Sequence, residues 1–190
     1  MVGPFFLEIT MAIRENRPFW IPTFIVPVSD WKDKKQKLLS MVDFEDADCI
    51  KENQFTDYHK YVNDYAPYKQ EFVGLLLDEL MEFANYLDAE INIGSVWCQR
   101  YANENLMEPH NHGSIGYSAV LYAELDEEHQ ATTFTAPYLN FNTGSVIQHT
   151  PKMSEGEIIF FPSAIMHYAK PNKSKKNRTI FSFNVKLAFE

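Results

Sequence analysis

Three histidines and one arginine have residue types and an order that could bind a metal and an anion beside it. His110 and His112 are separated by one residue, His167 follows much later, and Arg178 stands eleven residues beyond it. Successive side chains of an extended strand point to opposite faces, so His110 and His112 are predicted to share one face. Imidazole binds iron, zinc, copper or nickel, so the pair predicts a metal site without selecting the element.

Short apolar segments surround these residues and predict a β-rich second half of the chain. After about residue 90 the segments are separated by turn residues, a pattern typical of a sandwich or barrel. The fifteen Phe and ten Tyr residues suit such a core, because aromatic rings pack well on pleated sheets. The predicted strands are Ile91–Tyr101, Tyr117–Leu125, Thr132–Ala136, Glu157–Phe161 and Thr179–Ala188, with a loop at Asn140–Gly144.

The last predicted strand has two different faces. One face carries Arg178, Ile180, Ser182 and Asn184, and the other carries Phe181, Phe183, Val185 and Leu187. We expect the polar face to line a cavity and the apolar face to pack against N-terminal helices.

The first half of the chain is predicted to be mainly helical. A short strand is expected over Trp20–Val28, followed by a helix that is capped by Ser29 and ends near Val42. A longer helix is predicted over Tyr68–Leu87. Its apolar residues recur at helical spacing and are expected to face the core: Phe72, Leu75, Leu76, Leu80, Phe83, Ala84 and Leu87.

Length and charge limit the function classes. A chain of 190 residues is predicted to form one domain, with about residues 1–90 as helical support and 91–190 as the core that carries the metal site. The net charge of -9 argues against a general nucleic-acid binder, which needs a basic surface.

The cysteines and the opening segment predict an intracellular location. Cys49 and Cys98 are too few for the disulfide framework of a small secreted domain, so reduced thiols in the cytoplasm are expected. The segment Met1–Met11 has neither a basic leader nor a cleavage site, and no stretch approaches eighteen apolar residues. We therefore expect a cytoplasmic protein without membrane association.

Over about residues 91–190 the chain resembles the Fe(II)/2-oxoglutarate-dependent oxygenases, in particular the small prolyl-hydroxylase-like proteins of bacteria and phages. The resemblance implies a mainly β fold, a double-stranded β-helix or distorted jelly roll, with the N-terminal helices packed on its outer face. It implies that His110 and His167 bind Fe(II) and that Arg178 anchors the distal carboxylate of 2-oxoglutarate, the cosubstrate. O₂ and either a small molecule or a side chain of a peptide or protein would complete the reaction, which in this family is commonly a hydroxylation.

His112 departs from the pattern of this family, since it stands where a carboxylate ligand is usual. Its position and its predicted face favour His112 as the third ligand. Two alternatives stay open at this point: Glu124 or Asp126 could supply a carboxylate, or the third protein position could stay open, as in related halogenases.

Further residues are similar to cosubstrate contacts of the family. Tyr101 lies on a strand that points Gln99 to the same side and resembles the tyrosine that lines the cofactor site of prolyl hydroxylases. Tyr122 resembles the tyrosine that joins the basic residue at the distal carboxylate. The predicted cofactor-binding set is Gln99, Tyr101, Tyr122, Arg178, Ser182 and Asn184. Either tyrosine could instead simply fill a strand face.

Two other functions fit parts of the same pattern. The spacing of Gly156, Pro162 and His167 is similar to the second motif of cupins, which include three-histidine dioxygenases and isomerases that use no 2-oxoglutarate. A cupin has no need of Arg178. A non-catalytic jelly-roll binding module with structural or zinc-binding histidines is the alternative outside the enzymes.

Overall fold

The computed structural model describes residues 21–51, 54–61 and 65–188. Met1–Met11 and the first residue of the predicted strand Trp20–Val28 lie outside the described residues. The helices are α1 (Trp31–Ser40), α2 (Lys69–Leu75) and α3 (Leu77–Leu87), with a 3-10 turn at Ala47–Cys49. The strands are β1 (Phe24–Pro27), β2 (Ile50–Lys51), β3 (Gln54–Thr56), β4 (Glu90–Tyr101), β5 (Met107–His110), β6 (Tyr117–Glu124), β7 (Thr133–Leu139), β8 (Val146–His149), β9 (Glu157–Pro162), β10 (Met166–Ala169) and β11 (Arg178–Ala188).

The strands form two antiparallel sheets. The large sheet has seven strands in the order β1-β9-β6-β11-β4-β3-β2, and the small sheet has four in the order β5-β10-β7-β8. Among the described residues every strand pairing is antiparallel, and strands distant in sequence lie side by side in both sheets. The predicted mainly β jelly roll is confirmed.

The central strands of the large sheet are buried on both faces, because their side chains alternate between two hydrophobic clusters. On β9, Ile158 and Phe160 join the cluster shared with the helices, whereas Ile159 and Phe161 join a cluster between the two sheets. The second cluster includes Phe134 from the small sheet, whose ring lies 4.9 Å from that of Phe161. This double burial explains why β9 is an almost uninterrupted apolar run.

The N-terminal helices pack on the outer face of the large sheet, as predicted. The ring of Phe72 on α2 lies 5.6 Å from Phe181 and 5.4 Å from Phe183, both on the apolar face of β11. On α3, the ring of Phe83 stacks on Phe160 at 3.9 Å. The other face of the large sheet is thereby left for the small sheet and the cavity between them.

Two predictions for the helices are wrong in detail. Ser29 does not cap α1: Asp30 takes that position in a left-handed conformation without a side-chain cap, and α1 ends at Ser40. Ser29 instead donates its N–H and its hydroxyl to the buried carboxylate of Glu79 on α3. The long predicted helix is interrupted at Leu76, two residues after Gly74, a residue with low helix propensity.

The predicted strands of the second half exist, with ends that differ by a few residues. β7 continues to Leu139, three residues beyond the predicted end, because it pairs with β8, which was not predicted. β3, β5 and β10 were not predicted either, since each is only three or four residues long. In the described part of the chain, no helix has the length and apolar character needed to cross a membrane.

Candidate metal centre

The three histidines meet at the edge of the small sheet. His167 on β10 is the register partner of His110 at the end of β5, and their ring centres are 4.4 Å apart. His112 follows two residues after the end of β5, and its N–H donates to the carbonyl oxygen of Ser163 at 2.9 Å. One ligand nitrogen from each ring can lie within 4.8 Å of the other two. The structure therefore brings together the three predicted ligands.

The prediction that His110 and His112 share one strand face is wrong. β5 ends at His110, so the two histidines do not share a regular strand face. His112 reaches the same point because the hydrogen bond to Ser163 holds its backbone there. Contacts with a distant segment, rather than strand periodicity, place the third ring.

The hydrogen bonds that the Nδ1 atoms donate define which nitrogen of each ring is free to bind a metal. Nδ1 of His110 donates to the carbonyl of Glu108 at 2.7 Å, and Nδ1 of His167 donates to the carbonyl of Ile165 at 2.9 Å. Nδ1 of His112 donates to Oδ1 of Asn184 at 3.0 Å. All three acceptors are carbonyl oxygens, so each Nδ1 carries the proton and each Nε2 offers its electron pair. This donor set fits a divalent transition metal.

Burial favours the neutral imidazoles that a metal requires. His167 is buried, and burial lowers its pKa to about 3. Burial also lowers the pKa of His112, although the hydrogen bond to Asn184 acts in the opposite direction. Both rings are therefore neutral at physiological pH and need no deprotonation before they bind a cation.

The two acidic residues considered as alternative ligands have other partners. The carboxylate of Glu124 accepts hydrogen bonds from Arg100 and Thr179. Asp126 forms an ion pair with Lys176 at 2.9 Å. Among the described residues, neither carboxylate belongs to the three-histidine group.

A cavity of about 510 Å³ opens beside the three histidines. Of the residues predicted to bind the cofactor, Gln99, Tyr101, Ser182 and Asn184 line it. The lining also contains apolar and aromatic side chains from both sheets: Trp97, Met107, Ala119, Val120, Phe161, Tyr168, Ala169 and Ile180. Such a lining excludes water from most of the cavity wall.

Arg178 lies behind this wall rather than in it. Its side chain is only 2% exposed, and the guanidinium carbon is 4.4 Å from the ring centre of Tyr101. Nη1 donates to the carbonyl of Gln130 at 2.6 Å, and burial lowers the pKa of Arg178. Within the described residues no carboxylate is close enough for an ion pair with it. A buried guanidinium stays charged and is stabilised by any anion that reaches it.

Tyr122 occupies the same layer as Arg178. Its hydroxyl donates to Oγ1 of Thr132 at 3.0 Å and accepts the N–H of Thr132 at 3.0 Å. Thr132 lines the cavity, whereas Tyr122 does not. Tyr122 therefore reaches the cavity only through Thr132.

One wall of the cavity was not anticipated from the sequence. Thr56, Tyr58 and His59 lie at and beyond the end of β3, in the half of the chain that was predicted to be only helical support. The ring of Tyr58 is 5.2 Å from Trp97, which stacks on His112 at 5.3 Å. The adjacent Tyr58 and His59 were the only local signal, and their position depends on the pairing of β3 with β4.

Comparison with known families gives a match in the second half of the chain. Residues 95–184 match the model of a family described as "Putative 2OG-Fe(II) oxygenase". The matched segment contains all three histidines of the cluster and Arg178. No curated protein matches the chain in sequence.

Solved structures with a similar fold include enzymes of viral and bacterial origin. A 2OG-Fe(II) oxygenase family oxidoreductase from Burkholderia pseudomallei is 12% identical with a TM-score of 0.63, over 86% of this chain and 84% of that one. The viral collagen prolyl hydroxylase from Paramecium Bursaria Chlorella virus-1, in its 2OG complex, is 15% identical with a TM-score of 0.60, over 88% and 96%. HygX from Streptomyces hygroscopicus, with nickel and 2-oxoglutarate bound, is 12% identical with a TM-score of 0.60, over 88% and 83%. At such identities the likeness shows a common fold.

Proposed function

We propose that this chain is a 2OG-Fe(II) oxygenase, the family whose model matches residues 95–184. In this proposal it holds Fe(II) on His110, His112 and His167 and binds the distal carboxylate of 2-oxoglutarate with Arg178. One observation carries the proposal. The buried guanidinium of Arg178 packs on the ring of Tyr101, and Tyr101 lines the cavity beside the three-histidine cluster. A cupin or a zinc-binding module would use the histidines but would have no use for Arg178.

Each part of the site has a distinct task. Fe(II) with 2-oxoglutarate and O₂ supplies oxidative decarboxylation, which yields succinate and CO₂ and is coupled to oxidation of the substrate. The three imidazoles offer Nε2 atoms that are already neutral and oriented by their Nδ1 hydrogen bonds. The apolar lining keeps water away from the reacting atoms.

The cosubstrate contacts are proposed from the same wall of the cavity. Arg178 offers a planar fork of N–H donors that matches a carboxylate, and it packs on Tyr101, which lines the cavity. Gln99, Ser182 and Asn184 supply polar groups on that wall, and Tyr122 supports it through Thr132. In this arrangement the cosubstrate lies along β4 and β11, which are paired neighbours.

The substrate is proposed to present an uncharged group to the cavity. None of the described residues that line the cavity is Lys, Arg, Asp or Glu. With Arg178 assigned to 2-oxoglutarate, a charged substrate group buried there would lack a partner at considerable cost. A neutral small molecule or an uncharged side chain within a peptide fits this lining better than a free zwitterionic amino acid.

We also propose that residues 1–190 act as a single oxygenase domain in the cytoplasm. The helices and the large sheet share one hydrophobic cluster, which supports a single folding unit. Cys49 and Cys98 are both free and buried, which is compatible with a reducing compartment.

The test combines cofactor binding with turnover. Addition of Fe(II) and 2-oxoglutarate under anaerobic conditions should produce a charge-transfer absorbance band, and succinate should be released when O₂ and a substrate are supplied. Pools of capped peptides, free amino acids and nucleosides are compared, and the capped peptides are expected to stimulate succinate release more than the free amino acids. If the protein binds iron but shows no absorbance band with 2-oxoglutarate, a three-histidine cupin enzyme would explain the site better.

A further inference from the structure

The hydrogen bonds around His112 form a closed ring that runs through three side chains. The His112 ring donates to Oδ1 of Asn184 at 3.0 Å, and the Ser118 hydroxyl donates to the same oxygen at 3.1 Å. The hydroxyls of Ser118 and Ser163 are 2.9 Å apart. The carbonyl of Ser163 accepts the backbone N–H of His112, which closes the ring.

From this ring we propose that Asn184 is the positioning residue that makes His112 a metal ligand. The inference rests on the proposed function, because it concerns the third ligand of the same centre. It is separate from any contact that Asn184 makes with the cosubstrate, since it concerns the orientation of an imidazole before any cofactor binds.

The direction of each hydrogen bond follows from the donors available. Asn184 Oδ1 can only accept, so the Ser118 hydroxyl proton and the His112 Nδ1 proton both point to it. Since the Ser118 proton is used there, Ser163 donates its own hydroxyl proton to Ser118. The ring therefore permits one tautomer of His112, with the proton on Nδ1 and the electron pair on Nε2.

His112 differs in this respect from the other two histidines. His110 and His167 each donate Nδ1–H to the backbone carbonyl two residues earlier, Glu108 and Ile165 respectively. Their tautomers are thus set by local backbone and survive most substitutions. Of the three ligands, His112 alone relies on a side chain for the corresponding bond.

The sheet holds Asn184 in place for this task. Asn184 on β11 is the register partner of Ser118 on β6, which brings the two side chains together. On its other side, the pairing of β11 with β4 shifts register between Phe183 and Val185. Gly94 lies against the backbone of Asn184 there, where a Cβ would be 3.4 Å from the Asn184 carbonyl oxygen. Both neighbouring strands therefore constrain the position of the amide.

Nuclear magnetic resonance on the metal-free protein tests the inference directly. Long-range ¹H–¹⁵N correlation spectra report which ring nitrogen of His112 carries the proton. The parent and Asn184→Asp, which keeps an acceptor oxygen, should show the Nδ1–H tautomer. Asn184→Leu, which has similar volume and no acceptor, should show a mixture of tautomers or the Nε2–H form.

Anaerobic Fe(II) titration of the same variants provides the second readout. Asn184→Leu should bind Fe(II) roughly 10- to 100-fold more weakly, the usual loss when a hydrogen-bond partner of a ligand is removed, while Asn184→Asp should stay close to the parent. Asn92→Leu, an exposed change on β4, is the matched control and should bind as the parent does. If Asn184→Leu does not fold, Asn184→Ala tests the same hydrogen bond, because it also removes the acceptor of the His112 Nδ1 proton.

The outcomes separate the two proposals. A parent with His112 in the Nδ1–H form that binds no Fe(II) would refute the metal function, and Asn184 would then only orient the imidazole of His112. An Asn184→Leu protein that keeps both the Nδ1–H tautomer and the Fe(II) affinity of the parent would overturn the role of Asn184. An unchanged tautomer and affinity in Asn184→Ala would overturn it in the same way.

Discussion

Arg178 and Tyr101 are register partners on β11 and β4, and the guanidinium carbon lies 4.4 Å from the centre of the tyrosine ring. Tyr101 lines the cavity and Arg178 lies behind it, so the ring stabilises a buried cation that would otherwise be costly. The pairing of two strands thus places a buried positive charge against a residue that lines the cavity beside the three histidines.

Loss of Arg178 should weaken 2-oxoglutarate binding and leave iron binding unchanged. Arg178→Ala is expected to lower the affinity by roughly 30- to 1000-fold, equivalent to about 2–4 kcal/mol for a charge-assisted bidentate contact. Arg178→Lys should lose less, since it keeps the charge and loses the fork. Anaerobic titration followed by the charge-transfer absorbance measures both. Arg100→Ala is the control, because Arg100 is an arginine of the same sheet that binds Glu124 away from the cavity. Equal affinity in Arg178→Ala and the parent would remove the proposed anchor.

Substitution of either paired histidine should abolish stoichiometric iron binding. His110→Ala and His167→Ala each remove one of three Nε2 donors from a site that has no described carboxylate in reach. The iron content of protein purified anaerobically, measured by a colorimetric assay, is expected to fall to background. His149→Ala, an exposed histidine of β8, should retain the parent content. Full iron binding in both site variants would show that the metal lies elsewhere.

Substitutions of His112 should distinguish a ligand from a supporting residue. His112→Asp supplies the ligand type usual in the family and should keep measurable metal binding and some turnover. His112→Ala leaves two imidazoles and should weaken Fe(II) binding roughly a hundredfold or more, beyond the loss typical of a supporting residue. Fe(II) titration of the folded variants measures the difference. If His112→Ala binds as tightly as the parent, then His112 is not a ligand.

The buried Glu79 carboxylate should contribute to stability above acidic pH. Burial acts to raise the pKa of Glu79, but the hydrogen bonds from Lys34 and Ser29 outweigh it and hold the pKa below its ordinary value. A lowered native pKa stabilises the fold above the unfolded-state value of about 4.5, and this contribution is lost as the pH falls through the native pKa. Glu79→Ala should cost on the order of 3–5 kcal/mol at pH 7, because Lys34 loses its buried partner.

Urea unfolding at several pH values checks this prediction. The difference in the free energy of unfolding between parent and Glu79→Gln should be largest near neutral pH and should shrink as the pH falls below about 4.5. Lys35→Ala, which removes a partly exposed ion pair with Glu155, is the control and should cost about 1 kcal/mol or less. A difference that does not change with pH would show that the charge of Glu79 is unimportant for stability.

Local periodicity in the sequence was enough to predict most of the strands in the second half of the chain and the two faces of β11. Side chains alternate across a strand whatever the strand pairs with, so Phe181 and Phe183 had to lie opposite Ser182 and Asn184. The order of His110, His112, His167 and Arg178 likewise indicated a metal-dependent oxygenase, since these residue types match the chemistry of that family. Both inferences depend only on residue types and their order along the chain.

Long-range contacts decided the rest of the site. His112 reaches the other histidines through Ser163 and is oriented by Asn184, residues 51 and 72 positions away along the chain. Tyr58 and His59 join the cavity only because β3 pairs with β4 in the large sheet.

Ser29 binds Glu79 rather than capping α1, because a buried carboxylate gains more from these donors than a solvent-exposed helix end does. Burial and strand pairing determine these contacts, and neither can be derived from the spacing of neighbouring residues.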